Sequence, residues 1–217
     1  MHLETHQWLL ELAAALFVGI SKTGIPGIGI LVVILLANLF GGRSSVGIML
    51  PMLIAGDIFA VSWYRRHCQW HTLISLLPWV IAGMGIGSVG LWITGKLGGT
   101  KDLLSILIGI LTLTMLGLFL LQKYLSLTPK SPVGITSTGI AAGFATTVSN
   151  AAGPIMSIFL QAHDLKKEEF MGTIAWYFFI INVSEMPIYL LLTAMNPEKP
   201  IITLSSLAFN LITFPAV

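Results

Sequence analysis

The stretch Thr146-Thr147-Val148-Ser149-Asn150-Ala151-Ala152-Gly153-Pro154 interrupts an apolar run that extends from Val133 to Ala162. A similar stretch, Ser21-Lys22-Thr23-Gly24-Ile25-Pro26-Gly27, interrupts the apolar run from Trp8 to Phe40. In a membrane, backbone N–H and C=O groups that leave a helix cannot bond to lipid, so such breaks persist only when they are buried in protein or line a wet cavity. These two breaks therefore determine both the fold that we expect and the place where we expect a site.

The composition assigns the rest of the chain to a lipid bilayer. Hydrophobic residues make up 55% of the 217 positions and charged residues 9%, and the mean hydropathy is +0.90. A soluble domain carries charge on about a quarter of its residues, whereas a spanning helix needs roughly 20 apolar residues. Four uninterrupted stretches meet that need and a fifth begins near the end of the sequence: Val46–Tyr64, Leu73–Thr94, Leu103–Leu121, Met171–Met195 and Ile201–Val217.

Several other classes of protein are not supported. The net charge of +2 comes from scattered basic residues, so we expect no nucleic-acid partner. Cys68 is the only cysteine and excludes an intramolecular disulfide. The segment His67–His71 offers two imidazoles and a thiol, but it follows Arg65 and Arg66 without further ligands, so we interpret it as an interfacial loop rather than a metal site. The known phosphate, dinucleotide and hydrolase motifs do not occur, so we expect neither an enzyme nor a cofactor.

An offset of 128 positions relates the two halves of the chain. It places Pro26 on Pro154, Ser21 on Ser149, and Asp57 on Glu185. The acid pair carries most weight, because these two residues are the only acids inside the uninterrupted spans. We therefore predict two repeats, residues 1–132 and 133–217, of which the second is incomplete.

The basic residues bear on the topology, because cytoplasmic loops carry an excess of Lys and Arg. If each broken stretch is a hairpin, six basic residues lie on one side and four on the other; if each crosses once, the split is five to five. The hairpin arrangement leaves three full spans after each hairpin, which inverts the second half relative to the first, as in many secondary transporters. The predicted fold is thus an all-α polytopic transmembrane bundle of two inverted repeats, each opened by a broken, re-entrant helix pair.

Each break also begins a new half-helix, with a proline in its first turn. We expect Thr23 and Asn150 to be the N-caps. Helix N-termini present free N–H groups and a partial positive charge to an anion, and Lys22 would add a full charge. The alternative is that both breaks are only kinks. Small residues (Gly24, Gly27, Gly29, Ala151, Ala152 and Gly153) would let a solute approach the backbone, and the side-chain donors would be Ser21, Lys22, Thr23, Ser149 and Asn150.

The two intramembrane acids are costly to insert and are therefore candidates for function. Asp57 could pair with Lys22, or bind a coupling proton or cation. Glu185 could take part with Asp57 in coupling to a proton or cation. The alternative is that both are buried acids that fix helix packing.

The segment Ser149–Pro154, followed by Gly172–Asn182 and Pro187, resembles the sulfite exporter TauE/SafE family of membrane permeases. The first half of the chain resembles the same family at Ser21–Gly24, Asp57 and Tyr64–His67. The resemblance therefore covers essentially the whole chain. It implies duplicated halves, a substrate among sulfite, sulfonates and other small organic anions, and a site that includes Trp176 and Asn182. Two departures are that the family often has a basic residue at the position of Glu185, and that it usually continues for about two more spans.

The leading prediction is a secondary transporter for a small anion, in the cytoplasmic membrane of a prokaryote. The alternatives are a proton- or cation-coupled permease that uses Asp57 and Glu185, and a non-transporting membrane subunit or remnant. The expected partners are an anionic solute, the lipid bilayer and further copies of the chain. The predicted binding residues are Ser21, Lys22, Thr23, Gly24, Gly27, Ser149, Asn150, Ala151, Gly153, Trp176 and Asn182, with Asp57 and Glu185 for charge coupling.

Overall fold

The computed structural model describes residues 5–22, 28–96, 103–121 and 130–203. Over these ranges the regular structure is entirely helical, as predicted, and consists of eight α-helices and one 3₁₀ turn. The helices are α1 (Thr5–Lys22), α2 (Ile28–Phe40), α3 (Gly42–Tyr64), α4 (Trp70–Lys96), α5 (Leu103–Leu121), α6 (Pro132–Ser149), α7 (Gly153–Gln161) and α8 (Lys167–Met195), and the turn is Arg65–His67.

Three of the helices are long and apolar enough to cross a membrane: α3 with its 3₁₀ turn, α4 and α8. At 1.5 Å per residue, a helix of about 27 residues reaches about 40 Å, which exceeds the hydrocarbon thickness of a bilayer. These helices confirm the spans predicted at 46–64, 73–94 and 171–195. α5 coincides with the stretch predicted at 103–121. Most of the fifth predicted stretch, Ile201–Val217, lies outside the described residues.

The two central helices, α3 and α8, run antiparallel. Near the start of α3, Arg43 Nε donates to the carbonyl of Lys199, just beyond the end of α8, at 2.6 Å. Beyond the end of α3, the carbonyl of Arg65 accepts from Trp176 Nε1 in the first half of α8, at 3.3 Å. We call these two ends of the bundle the Arg43 end and the Arg65 end.

α4 and α6 pack through glycines. Gly83 and Gly87 on α4, and Gly139 and Gly143 on α6, each form a Gly-x-x-x-Gly pair. A Cβ at Gly83 would overlap the carbonyl of Ile140, and one at Gly143 would overlap a carbonyl of α4. The contacts advance along both helices together, so α4 and α6 run parallel. Small residues at such positions let transmembrane helices approach backbone to backbone.

The second break forms a helical hairpin. Asn150 adopts a left-handed conformation, with φ 52°, and its N–H bonds to the carbonyl of Thr146 at 2.6 Å, which ends α6. α7 then begins at Gly153, with Pro154 in its first turn as expected. The expectation that Asn150 caps α7 is wrong, because the N-cap is Ala152, which supplies no side-chain bond.

The hairpin returns to the end at which it starts. Lys130, just before α6, forms an ion pair of 2.8 Å with Asp164 Oδ2 in the turn after α7. This turn leads into α8, whose Glu168 contacts His67 Nε2 of the 3₁₀ turn at 3.2 Å. The start of α6, the end of α7 and the start of α8 therefore all lie at the Arg65 end.

Candidate functional site

A cavity of about 270 Å³ lies between α1, α2, α3, α6, α7 and α8. The second break opens onto this cavity, and α3 and α8 each line part of its wall. Most of the lining is apolar, notably around Phe170, Ile174 and Phe178 of α8. The polar side chains in the lining include Ser21, Asp57, Thr146, Asn150, Ser157, Gln161 and Asn182.

The N-terminus of α7 forms part of the cavity wall through Ala151, Gly153 and Pro154. The first N–H groups of a helix have no intrahelical acceptor, and the helix dipole makes this end partially positive. A Cβ built at Gly153 would meet no other atom within 4 Å, so the backbone is open to the cavity there. Ala151 and Gly153, both predicted from the sequence, thus lie where a solute could reach main-chain donors.

Asn150 holds the break against α3. Its Nδ2 donates to the carbonyl of Val46 at 3.2 Å. Its Oδ1 is buried and has no hydrogen-bond partner. One of the two amide N–H groups is therefore used by Val46, and the atom without a partner is an acceptor.

Asp57 and Asn182 meet across the interface between α3 and α8. Asn182 Nδ2 donates to Asp57 Oδ2 at 2.6 Å, and both side chains are fully buried while lining the cavity. Asn182 Oδ1 has no partner. The bond joins two buried side chains, and a buried polar group that loses its partner is costly. This bond therefore fixes both side chains at the cavity wall.

Glu185 has a separate environment, although the 128-residue offset pairs it with Asp57. It follows Asn182 by one helical turn, is fully buried and does not line the cavity. Thr147 Oγ1 donates to its Oε1 at 3.0 Å, while Oε2 has no partner. The carbonyl of Thr147 accepts from Tyr189 Oη at 2.7 Å. Glu185 thus lies in the protein interior between α6 and α8, behind the residues that line the cavity.

Ser149 and Trp176 do not line the cavity. The Ser149 hydroxyl donates to the carbonyl of Ala145 at 2.8 Å, within α6. The Trp176 ring lies 5.1 Å from that of Trp70, and its N–H bonds to Arg65, so it holds the loop between α3 and α4 against α8.

The first break is only partly described. Ser21 lines the cavity, and its hydroxyl donates to the carbonyl of Val18 at 2.7 Å. Lys22 is the last residue of α1, and its side chain lies outside the described part. Thr23, Gly24 and Gly27 lie outside the described residues altogether. Their roles stay predictions from the sequence.

Sequence reasoning missed Thr146, Ser157 and Gln161, and also the apolar wall of the cavity. A signal for the wall exists in the helical spacing of Met171, Ile174, Phe178 and Asn182, which puts them on one face of α8. Within the described ranges, no cluster of three metal-ligating side chains occurs.

One comparison with known proteins identifies a family for this chain. The family described as sulfite exporter TauE/SafE matches residues 11–215, a range that includes every residue of the cavity lining. No curated protein and no solved structure matches the chain. Because the match covers nearly the whole sequence, the chain belongs to the sulfite exporter TauE/SafE family of membrane transporters.

Proposed function

We propose that the protein is a secondary permease for a small anion with a sulfur oxyacid group, sulfite or a sulfonate, and that the cavity is its binding site. The observation that carries this proposal is the N-terminus of α7, which opens onto the cavity at Gly153. Backbone N–H groups at a helix N-terminus are a general means of binding such anions. Membership of the family supports the class of substrate.

The anion would bind beside the start of α7. Around it we assign the N–H groups at the start of α7 and the hydroxyls of Thr146 and Ser157, both of which line the cavity. Phe170, Ile174 and Phe178 offer an apolar wall to any organic group that the anion carries. Asn182 would act as a positioning residue, because it holds the Asp57 carboxylate through a 2.6 Å bond.

The site would include the first break as well. From the sequence we assign Lys22 the role of a cationic partner for the anion or for Asp57, and Thr23, Gly24 and Gly27 that of a second backbone cradle. Ser21, beside this break, lines the cavity, which supports the assignment.

We propose further that residues 1–132 and 133–217 are inverted repeats. Helix α3 begins at residue 42 and helix α8 at residue 167, which is 125 positions later. Helices α3 and α8, which correspond in this alignment, run antiparallel, as inversion requires. The pair α6–α7 would then be re-entrant, entering and leaving the membrane at the Arg65 end.

The Arg65 end would face the cytoplasm. Among the described residues, it carries Arg65, Arg66, Lys130, Lys166 and Lys167, whereas the Arg43 end carries Arg43, Lys96 and Lys199. An excess of basic residues in short loops marks the cytoplasmic side.

Flux measurements on the purified chain in liposomes test the proposal. Sulfite and methanesulfonate are followed under gradients in both directions, with protein-free liposomes as the blank. We expect flux in the wild type and a loss of about tenfold or more in Asn182→Ala, the scale of losing one partner of a buried hydrogen bond. Asn38→Ala is the matched control, because Asn38 is exposed and bonds to Ile34 of its own helix. Absence of flux for both anions under both gradients would refute the proposal.

A further inference from the structure

Glu185 lies in surroundings that suit a neutral carboxyl group. It is fully buried, its Oε1 accepts from Thr147, the hydroxyl of Thr146 also lies close to the carboxyl group, and its Oε2 has no hydrogen bond. A buried carboxylate of this kind loses its hydration without gaining a counter-charge, which costs far more than leaving a neutral O–H without an acceptor. The geometry therefore favours a proton on Glu185 in this conformation.

Among the described residues, no basic side chain forms an ion pair with Glu185. Helices α6 and α7 contain no ionisable residue, and α4 has only His71 and Lys96, near its two ends. α3 presents Asp57 on the cavity side, where Asn182 binds it. On α8 itself the neighbouring titratable groups are two buried phenols, those of Tyr177 and Tyr189.

Glu185 lies next to the cavity, because its neighbours on both α8 and α6 line it. Asn182, one turn earlier on α8, lines the cavity, and so does Thr146, which precedes the partner Thr147 on α6. A charge on Glu185 would therefore act on an anion in the cavity across one layer of protein with little water to screen it.

We propose that Glu185 is a proton-binding site coupled to the anion site, so that proton and anion cross the membrane together. This inference rests on the proposed permease function. An ionised Glu185 repels an anion in the cavity, whereas the protonated group does not, and by linkage a bound anion favours the protonated form to the same extent. The carboxylate takes up one proton from water when the packing around Glu185 opens towards one side of the membrane. It releases this proton to water when the packing opens towards the other side, and no bond to the substrate forms.

The coupling requires a second conformation. In the present one, the Thr147 bond and the packing around Glu185 separate the group from the cavity. Release of the proton to water thus needs the contact between α6 and α8 at Thr147 and Glu185 to open, and the anion biases the two conformations only through its different affinity for them.

Binding of methanesulfonate to the purified chain, measured by calorimetry, is the first test. This probe keeps one negative charge throughout the pH range, so any pH dependence belongs to the protein. We expect the affinity of the wild type to rise as the pH falls from about 9 to about 5, by a factor in the usual coupling range of about 5 to 150. Glu185→Gln should bind with an affinity that does not change with pH. Glu168→Gln, the same substitution at an exposed position of α8, should keep the wild-type dependence.

A second measurement needs no variant. In weakly buffered solution, addition of methanesulfonate to the wild type should cause proton uptake, up to one proton per site, at pH values where Glu185 is partly ionised. In liposomes, methanesulfonate flux should carry protons in the same direction, and Glu185→Gln should carry the anion without them.

The possible failures are distinct. If the wild type neither binds nor moves sulfite or methanesulfonate, the proposed function fails. If it moves the anion but takes up no proton, or if Glu185→Gln keeps the wild-type pH dependence, the permease stands and the coupling through Glu185 is refuted. If Glu185→Gln does not fold, proton uptake by the wild type decides the question.

Discussion

Asn182 Nδ2 and Asp57 Oδ2 form a 2.6 Å hydrogen bond that joins the two antiparallel helices α3 and α8 at the wall of the cavity. The two residues are 125 positions apart in the chain. The bond thus links one half of the sequence to the other at the place where we locate the substrate.

Loss of this bond should destabilise the protein. We expect Asn182→Ala to lower the free energy of unfolding by about 1–3 kcal/mol, the cost of removing one partner of a buried hydrogen bond. Asn38→Ala should change it by about 0.5 kcal/mol or less, because the site is exposed. Denaturant unfolding in detergent gives both values. Equal losses in the two variants would show that the Asp57 contact contributes nothing to stability.

The glycine interface predicts opposite effects at two positions of α4. At Gly83, Ala would overlap the carbonyl of Ile140, so Gly83→Ala should destabilise by about 1–3 kcal/mol, the usual effect of overpacking. At Gly85 a Cβ meets nothing within 4 Å. Gly85→Ala should therefore be neutral or stabilising by up to about 1 kcal/mol, through helix propensity. Thermal unfolding of the pair is the measurement, and a similar melting temperature for both would contradict the tight contact.

The hairpin of α6 and α7 predicts a common side for three surface positions. Lys130→Cys, Asp164→Cys and Arg66→Cys should react with a membrane-impermeant maleimide from one side, and Lys199→Cys from the other. Native Cys68 should add little background, because burial raises the pKa of its thiol to about 11, a shift that a side-chain bond to Thr173 only partly offsets. Reaction of Lys130→Cys and Asp164→Cys from opposite sides would exclude the hairpin.

The ion pair that closes this hairpin predicts a weak dependence of stability on pH. The hydrogen bond from Lys130, with its charge, lowers the pKa of Asp164 below the usual aspartate range. A lowered folded-state pKa gives stability that is present above the unfolded-state value and is lost as the pH falls through the folded-state value. The melting temperature of Asp164→Asn should thus lie slightly below that of the wild type at neutral pH and converge with it in acid.

Because both partners are exposed, salt should reduce this difference. Glu198→Gln, at an exposed acid of another loop, is the control and should not reproduce the effect. A difference that grows in acid would have the wrong sign for this ion pair.

The sequence predicted the long spans correctly, because hydropathy over about 20 residues reports the bilayer directly. It did not predict how Asp57 and Glu185 differ, since that depends on which residues face them from other helices. Asn182 lies 125 positions from its partner Asp57, and Thr147 lies 38 positions from its partner Glu185. The sequence near each acid therefore carries no signal of these pairings.

Asn150 was misassigned for a different reason. Asparagine is favoured both at helix N-caps and in the left-handed conformation that ends a helix. The sequence around the break suits either role. The bond to Val46 of α3, 104 positions earlier, accompanies the second role and is not visible locally.

The backbone contact between α4 and α6 has a mechanical consequence. α4 belongs to the first sequence half and α6 to the second, yet at Gly83 and Gly143 their backbones are in direct contact, with no side chain between them that could absorb sliding. In a packed interior, a contact of this kind transmits displacement rather than yielding to it. A transport cycle that leaves this contact intact moves α4 and α6 together, so the boundary between moving parts would cut across the two proposed repeats instead of separating one from the other.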